Sequence, residues 1–308
     1  MDNRTRQRTA GHVGFRLAVV TSAAVTLTAV ADEPAGQPAA TPAIHVAHRG
    51  LSKLAWQLAV PTGTFAGRTV FDTVDLLHGL DIHHLELTPG QLLSADRPGV
   101  LAGHGMPADA VAALAAKLKS VHMDVVSYGP VDLGGDEAAA RAVFAFAKQL
   151  KAKCVVASPP PDALDRLDPL ATEYGLNLAI VNGPTPAPYR TPQQVLAATA
   201  RRSPRLGGAD VLPAWQSAGV DPVGATDLLR GHIVQVRVGD VGGAAVDVRG
   251  ALAVLRRQAF KGAIVIACRP GTDRAAIGAD PVVRRFIDAA NALSDDVTAV
   301  AADDAAGK

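Results

Sequence analysis

Aromatic residues are scarce, with seven Phe, three Tyr and two Trp making up 4% of 308 residues. Their scarcity removes the stacking platforms on which proteins hold single-stranded nucleic acid. An excess of one charge is also missing, since the formal net charge is +1. Nucleic acid and anionic membrane both need a concentrated basic surface, so neither is expected as a partner. Cysteine is limited to Cys154 and Cys268. An oxidising compartment would let the two pair, but both sit in strongly apolar runs, KCVVAS and IVIACR, and buried free thiols are the preferred reading. No repeat of fixed period stands out, so no solenoid is expected.

The chain also lacks near its start an apolar run long enough for a bilayer. Arg4, Arg6, Arg8 and Arg16 form a basic beginning, followed by LAVVTSAAVTLTAVA at 17–31. That run is ~15 residues against the roughly 20 of a membrane span, and Thr and Ser dilute it. It ends in Ala29-Val30-Ala31, a small-x-small pattern that a signal peptidase accepts. There is no Arg-Arg pair for twin-arginine export and no Cys near the cut for a lipid. Residues 1–31 therefore read as a Sec-type signal peptide, the protein as exported (periplasmic or secreted), without a stable membrane anchor. An uncleaved anchor is the alternative. Residues 32–45, DEPAGQPAATPAIH, read as a Pro- and Ala-rich linker.

What is present from about Leu54 onward is alternation of short apolar runs with longer amphipathic ones. Strand candidates are LAWQLAV (54–60), IHHLEL (82–87), MDVVSYG (123–129) and KCVVAS (153–158). NLAIVN (177–182), RLGGAD (205–210), HIVQVRV (232–238) and AIVIACR (263–269) complete them. Helical stretches follow them. In DEAAARAVFAFAKQLK (136–151), Ala140, Val143, Phe144, Ala147 and Leu150 share one face. In MPADAVAALAAKLKSV (106–121), Pro107 suits a first helical turn. VDVRGALAVLRRQAF and DPVVRRFIDAANAL supply the last two crossover helices.

Eight near-continuous apolar strands alternating with helices imply a parallel sheet covered on its outer face. The length fits the ~250 residues typical of a single (β/α)₈ TIM barrel, placed at residues 46–296 with 297–308 as a disordered tail. A doubly wound open sheet would want a Gly-rich phosphate turn after the first strand. VPTGTFAGRT has glycines there, but not in G-x-G-x-x-G spacing.

In a barrel the site lies at the C-terminal ends of the strands. Those ends offer Glu86, Tyr128, Ser158, Asn182, Asp210, Arg237 with Asp240, and Arg269. Each alone reads as a polar rim residue; together they converge on one mouth. Glu86 is the best single candidate, because a carboxylate ending an apolar strand is costly unless paired or used. Alternation puts His84 on its face and His83 on the other. His-x-Glu has the look of a metal fragment, but a structural pair is the preferred reading.

The segments DLLHGLDIHHLELTPGQLLS, KLKSVHMDVVSYGPVDLGGDEAAARAVFAFAKQLKAKCVVASPPPDALDRLDPLATEYGLNLAIVNGP and LRRQAFKGAIVIAC resemble the sugar phosphate isomerase/epimerase family, of the xylose-isomerase-like TIM-barrel superfamily. The resemblance covers roughly residues 54–293 and is densest over 79–184. It implies a divalent metal held by Glu, Asp, His and Glu on the late strands, with carboxylates moving a proton at carbon. Residue by residue, that ligand set is broken. The fifth-strand ligand is Val181, with Gly183 where a His often stands, and the fourth-strand Glu is Ser158. The sixth-strand Asp is kept as Asp210, but the His three residues later is Pro213. The seventh-strand His is Arg237, its Asp kept as Asp240, and the eighth-strand Glu is Ala267. Val, Arg and Ala cannot coordinate a divalent ion, so neither metal nor another cofactor is expected.

Three functional readings follow. The first is a metal-free, catalytically degenerate protein binding a sugar or sugar acid. Tyr128, Asn182, Asp210, Arg237 and Arg269 are its ligand-binding residues, and Arg237 serves as surrogate cation beside Asp210 and Asp240. The second is an active isomerase or epimerase with a different ligand set. The third is lyase or hydrolase chemistry with Glu86 and Asp240 as catalytic acid and base. The leader carries its own test: N-terminal sequencing of exported protein should begin at Asp32. A mature chain that begins at Met1 and stays in membranes would contradict it.

Overall fold

The computed structural model describes residues 50–183, 188–239, 246–268 and 280–302. The leader (1–31) and linker (32–45), together with Asp240 and Arg269, lie outside them. Eight short apolar segments become strands: β1 (Gln57–Pro61), β2 (His84–Leu87), β3 (Asp124–Val131), β4 (Cys154–Ala157), β5 (Asn177–Ile180), β6 (Leu206–Gly208), β7 (Gln235–Val238) and β8 (Ala263–Ile266). They pair in parallel in the order β6-β5-β4-β3-β2-β1-β8-β7. Closure between β6 and β7 is made by fewer contacts. The Gly208 N–H donates to the His232 carbonyl (2.6 Å), Val234 N–H to Gly208 (2.9 Å) and Arg237 N–H to Asp210 (3.1 Å). A Cβ at Gly207 would lie 2.6 Å from the His232 oxygen, so the seam approaches this closely only over glycine.

Between the strands run α2 (Val70–Gly79), α3 (Ala108–Ser120), α4 (Glu137–Gln149), α5 (Leu164–Tyr174) and α6 (Pro192–Thr199). Two short helices, α7 (Leu212–Ser217) and α8 (Pro222–Leu228), separate β6 from β7; α9 (Val248–Arg257) precedes β8 and α10 (Pro281–Ala302) follows it. Side-chain caps fix several starts. Thr69 and Asp72 form a reciprocal capping box on α2, as do Thr191 and Gln194 on α6, while Asp136 and Asp247 cap α4 and α9. Pro107 stands at the cap of α3, one position before the first helical turn. The apolar face of α4 buries Ala140, Val143, Phe144 and Ala147, with Leu150 just beyond it, as the 3-4 spacing requires.

Two boundaries differ from the sequence reading. Leu54, expected to open the first strand, instead ends the single helical turn α1 (Leu51–Leu54), closed by Ala55 in the left-handed conformation (φ 56°). Trp56 then turns inward, its indole N–H donating to the Phe260 carbonyl at 2.9 Å, and the strand starts at Gln57. At the other end, α10 runs six residues into the supposed disordered tail, to Ala302. Val297 and Val300 are buried, and Gly50 packs so closely on Val297 that a Cβ there would fall 2.9 Å from its methyl. Burial of Val297 and Val300 carries the helix past the expected start of the tail.

One large apolar cluster fills the layer between strands and helices. Two small ones lie apart from it, Ala59 with Val126, Ala263 and Val265, and Cys154 with Val156, Ala179 and Ala209. Their buried members come from β8, β1 and β3 and from the β4–β6 arc, leaving β2 and β7 out. The helical tail is testable: Val297→Ala and Val300→Ala should each lower unfolding free energy in urea by about 1.5 kcal/mol or more, at ~0.8 kcal/mol per buried methylene plus a cavity cost. A disordered tail would leave both midpoints at the wild-type value.

Candidate functional site at the barrel interior

β2 and β7, the strands missing from both small clusters, carry the polar side chains. Glu86 is fully buried on β2, and Arg237, the penultimate residue of β7, reaches it across the barrel. A single guanidinium nitrogen, Nη1, donates to both carboxylate oxygens at 2.7 Å. Ser127 Oγ adds a hydrogen bond to Oε2 at 2.8 Å, and the Gln235 amide donates a longer one at 3.3 Å. Beneath them the Cys154 thiol donates to the Gln235 amide oxygen at 3.5 Å. Burial, and next the charge of Glu86, push the Cys154 thiol pKa well up, so this sulfur is held as the unreactive thiol.

The local sequence explains how these groups meet. Gln235 and Arg237 sit two apart in QVRV, so one face of β7 carries both. On β3 the register steps from Leu85–Val125 to Glu86–Ser127, making Val126 the extra residue of a bulge. Val126 packs with Ala59, while Ser127 still faces Glu86. An ion pair taken out of water is costly unless its remaining hydrogen-bonding capacity is met, and the Ser127 and Gln235 donors meet it for Glu86. Space comes from the small neighbours Ala59, Ala179, Ala209 and Ala263. His84 Nε2 lies 3.2 Å from Gln57 Nε2, and Glu86 takes Arg237.

Asp210 does not meet Arg237 through its side chain, contrary to the expected pairing. Its carboxylate accepts from the Trp215 indole (2.7 Å) and contacts Thr226 Oγ1 (2.8 Å), tying the end of β6 to α7 and α8. Thr226 Oγ1 also lies 2.9 Å from the Pro222 carbonyl. One hydroxyl proton cannot serve both oxygens. If it goes to Pro222, the contact with Asp210 is satisfied by a proton on the carboxyl itself. Burial raises the Asp210 pKa to about 6, with the two hydrogen bonds opposing, which agrees with that arrangement.

Asn182 uses its whole amide on one backbone residue, accepting from Val211 N–H (2.7 Å) and donating to Val211 carbonyl (3.1 Å). It thereby joins the ends of β5 and β6. Tyr128 packs its buried ring on Phe146 of α4, in the outer layer, and its hydroxyl meets the backbone N–H (3.2 Å) and Nδ1 (2.9 Å) of His104. Ser158 is exposed. The structure therefore brings together Glu86 and Arg237 of the sequence-derived residues, and adds Ser127, Gln235 and Cys154. The i, i+2 placement of Gln235 and Arg237 was a legible signal for the amide. Nothing in the sequence marked the bulge that turns Ser127 inward.

This donor set does not fit a divalent metal. Val181, Arg237 and Ala267 stand where ligands are expected, and no group of three or more His, Cys, Asp or Glu able to hold an ion occurs among the described residues.

No protein-family model matches the chain, and no curated protein sequence matches it either. Solved structures do. An uncharacterised protein from Parabacteroides distasonis ATCC 8503 is similar at 24% identity and TM-score 0.62, over 76% of this chain and 96% of that one. A D-tagatose 3-epimerase-like protein matches at 13% identity and TM-score 0.61 over 79% and 98%. A D-psicose 3-epimerase studied in the presence of D-fructose matches at 11% identity and TM-score 0.61 over 80% and 99%. At these identities the likeness establishes the fold, a (β/α)₈ barrel of the kind sugar epimerases use.

The carboxyl of Asp210 makes a pH-dependent contribution of defined sign. Between the ordinary carboxylate range and about 6 the folded state holds a proton that the unfolded chain releases, so stability falls as pH rises through that window and levels off above it. Asp210→Asn imitates the protonated acid and lacks this loss. The unfolding free energy of the variant relative to wild type should therefore rise between pH 4 and pH 7, by up to ~3 kcal/mol at 1.36 kcal/mol per pKa unit. A difference constant across that range would show that Asp210 ionises normally.

Proposed function

We propose that the chain binds a small polyhydroxylated, carbohydrate-type ligand at the C-terminal mouth of the barrel, without a metal ion and with its isomerase chemistry lost. The observation that carries this reading is the Glu86–Arg237 pair. A permanently charged guanidinium occupies the strand position where the resembled family has a metal-binding His, and it is anchored on a buried carboxylate. The fold supports it, because barrels of this type act at the strand C-termini and the structural neighbours include a sugar 3-epimerase. Export by the N-terminal leader belongs to the same proposal.

Catalysis by Glu86 with Asp240 is the weaker reading. Both Glu86 oxygens already accept from Arg237, and Oε2 also takes Ser127 and Gln235. A general base needs a free lone pair within reach of substrate, and these contacts leave one at most on Oε1, beside the Arg237 cation.

The test is thermal unfolding with added Zn²⁺, Mn²⁺ or Mg²⁺, beside calorimetry with a panel of aldoses, ketoses and their acids. Tight binding to the folded state raises Tm, so an unchanged Tm with each ion and a binding isotherm for at least one sugar is the expected result. Arg237→Ala should abolish that isotherm and destabilise the fold by roughly 3–5 kcal/mol, because it strands Glu86 without its cation. A metal-dependent rise in Tm that Asp210→Ala removes would return the chain to the metal-dependent isomerases.

A further inference from the structure

We infer that the ligand of this mouth carries a carboxylate, as in a sugar acid, and that the group docks on the free edge of the Arg237 guanidinium. This rests on the binding reading above and narrows it to a substrate class. Both hydrogen bonds from Arg237 to Glu86 leave from Nη1. Nε and Nη2 have no partner among the described residues, and neither is among the buried polar atoms left without one. A tenth of the side chain remains exposed. Nε and Nη2 together form the side-on edge of the guanidinium, two parallel N–H donors whose spacing matches the two oxygens of a carboxylate. A single sugar hydroxyl fills only one of them, and a vicinal pair that fills both brings no charge to the guanidinium.

Among the described residues, little opposes a single negative charge at that edge. Glu86 balances Arg237, but its own charge is further spread over the Ser127 and Gln235 donors, which weakens its repulsion of an incoming anion. Asp210, the neighbour across the β6–β7 seam, has both oxygens turned to Trp215 and Thr226 and does not compete for the guanidinium. Val211, bridged to Arg237, is held by Asn182, so the backbone beside the edge is fixed before ligand arrives. A phosphate brings nearly two charges to one already-paired cation and is the poorer match.

Matched pairs of ligand test this: D-glucuronate against D-glucose, and D-galacturonate against D-galactose, each pair differing only in oxidation at C6. Calorimetry on the full chain should show at least one acid binding about tenfold or more tighter than its neutral partner, the ratio expected for one charged hydrogen bond. In Glu86→Gln/Arg237→Gln, which keeps the buried positions polar but uncharged, the ratio should fall to about one. A measurement free of that double variant is the Arg237 Nε–H resonance, assigned by its loss in Arg237→Lys, which should shift with the acid and not with the neutral sugar. Equal affinity for acid and neutral sugar overturns the inference while leaving the binding reading intact. So does an acid preference that survives in the double variant, or an unmoved Nε–H signal. If none of the four ligands binds, the inference falls, and the binding reading falls with it if the wider sugar panel fails too.

Discussion

The ion pair between Glu86 and Arg237 is the constraint around which the barrel interior is arranged. A guanidinium and a carboxylate need room, and the inward positions of the neighbouring strands are Ala59, Ala179, Ala209 and Ala263, with Gly207 at the seam. They also need their remaining hydrogen-bonding capacity met in a place water does not reach freely, and Ser127 and Gln235 meet part of it. Gln235 in turn fixes the Cys154 thiol, the next group down. Replacing any one of these changes the packing problem for the others, because a buried charge left without its partner costs several kcal/mol.

The architecture was legible because it depends on periodicity. Eight apolar runs separated by amphipathic helices admit few arrangements, and each observed strand overlaps its expected segment. The errors fall where tertiary packing overrides local pattern. Residues 54–56 have strand composition, but Leu54 ends a helical turn, Ala55 is left-handed and the Trp56 indole donates to the Phe260 carbonyl, so the strand starts at Gln57. The segment after residue 296 reads as polar tail, but its two valines complete a helix face against the barrel.

The site was only half legible. Glu86 and Arg237 stood out singly, each an ionised side chain in an apolar strand, yet sequence spacing gives no distance across a barrel. Asp210 was therefore assigned to Arg237 on chemistry alone. The choice between Asp210 and Glu86 is made by Trp215 and Thr226, which lie in the helices after β6 and claim both Asp210 oxygens first. Ser127 was hidden by a bulge, a feature that inverts the inside-outside alternation on which strand reading rests. Asn182 and Tyr128 sit at strand ends, as ligand residues do, and their polar atoms also bond Val211 and His104.

Holding an arginine by one nitrogen has a chemical consequence. The contact to Glu86 fixes the plane of the guanidinium and lowers the entropy lost when its other edge engages a ligand, so part of the cost of binding is met in the folded protein. The same contact, with the Ser127 and Gln235 donors, leaves Glu86 one oxygen, Oε1, that accepts from Arg237 alone. On the binding reading proposed above, a fixed charge held in this way orients and holds a polyol. Under that proposal the binding group is one pair, an arginine on β7 held by a glutamate on β2.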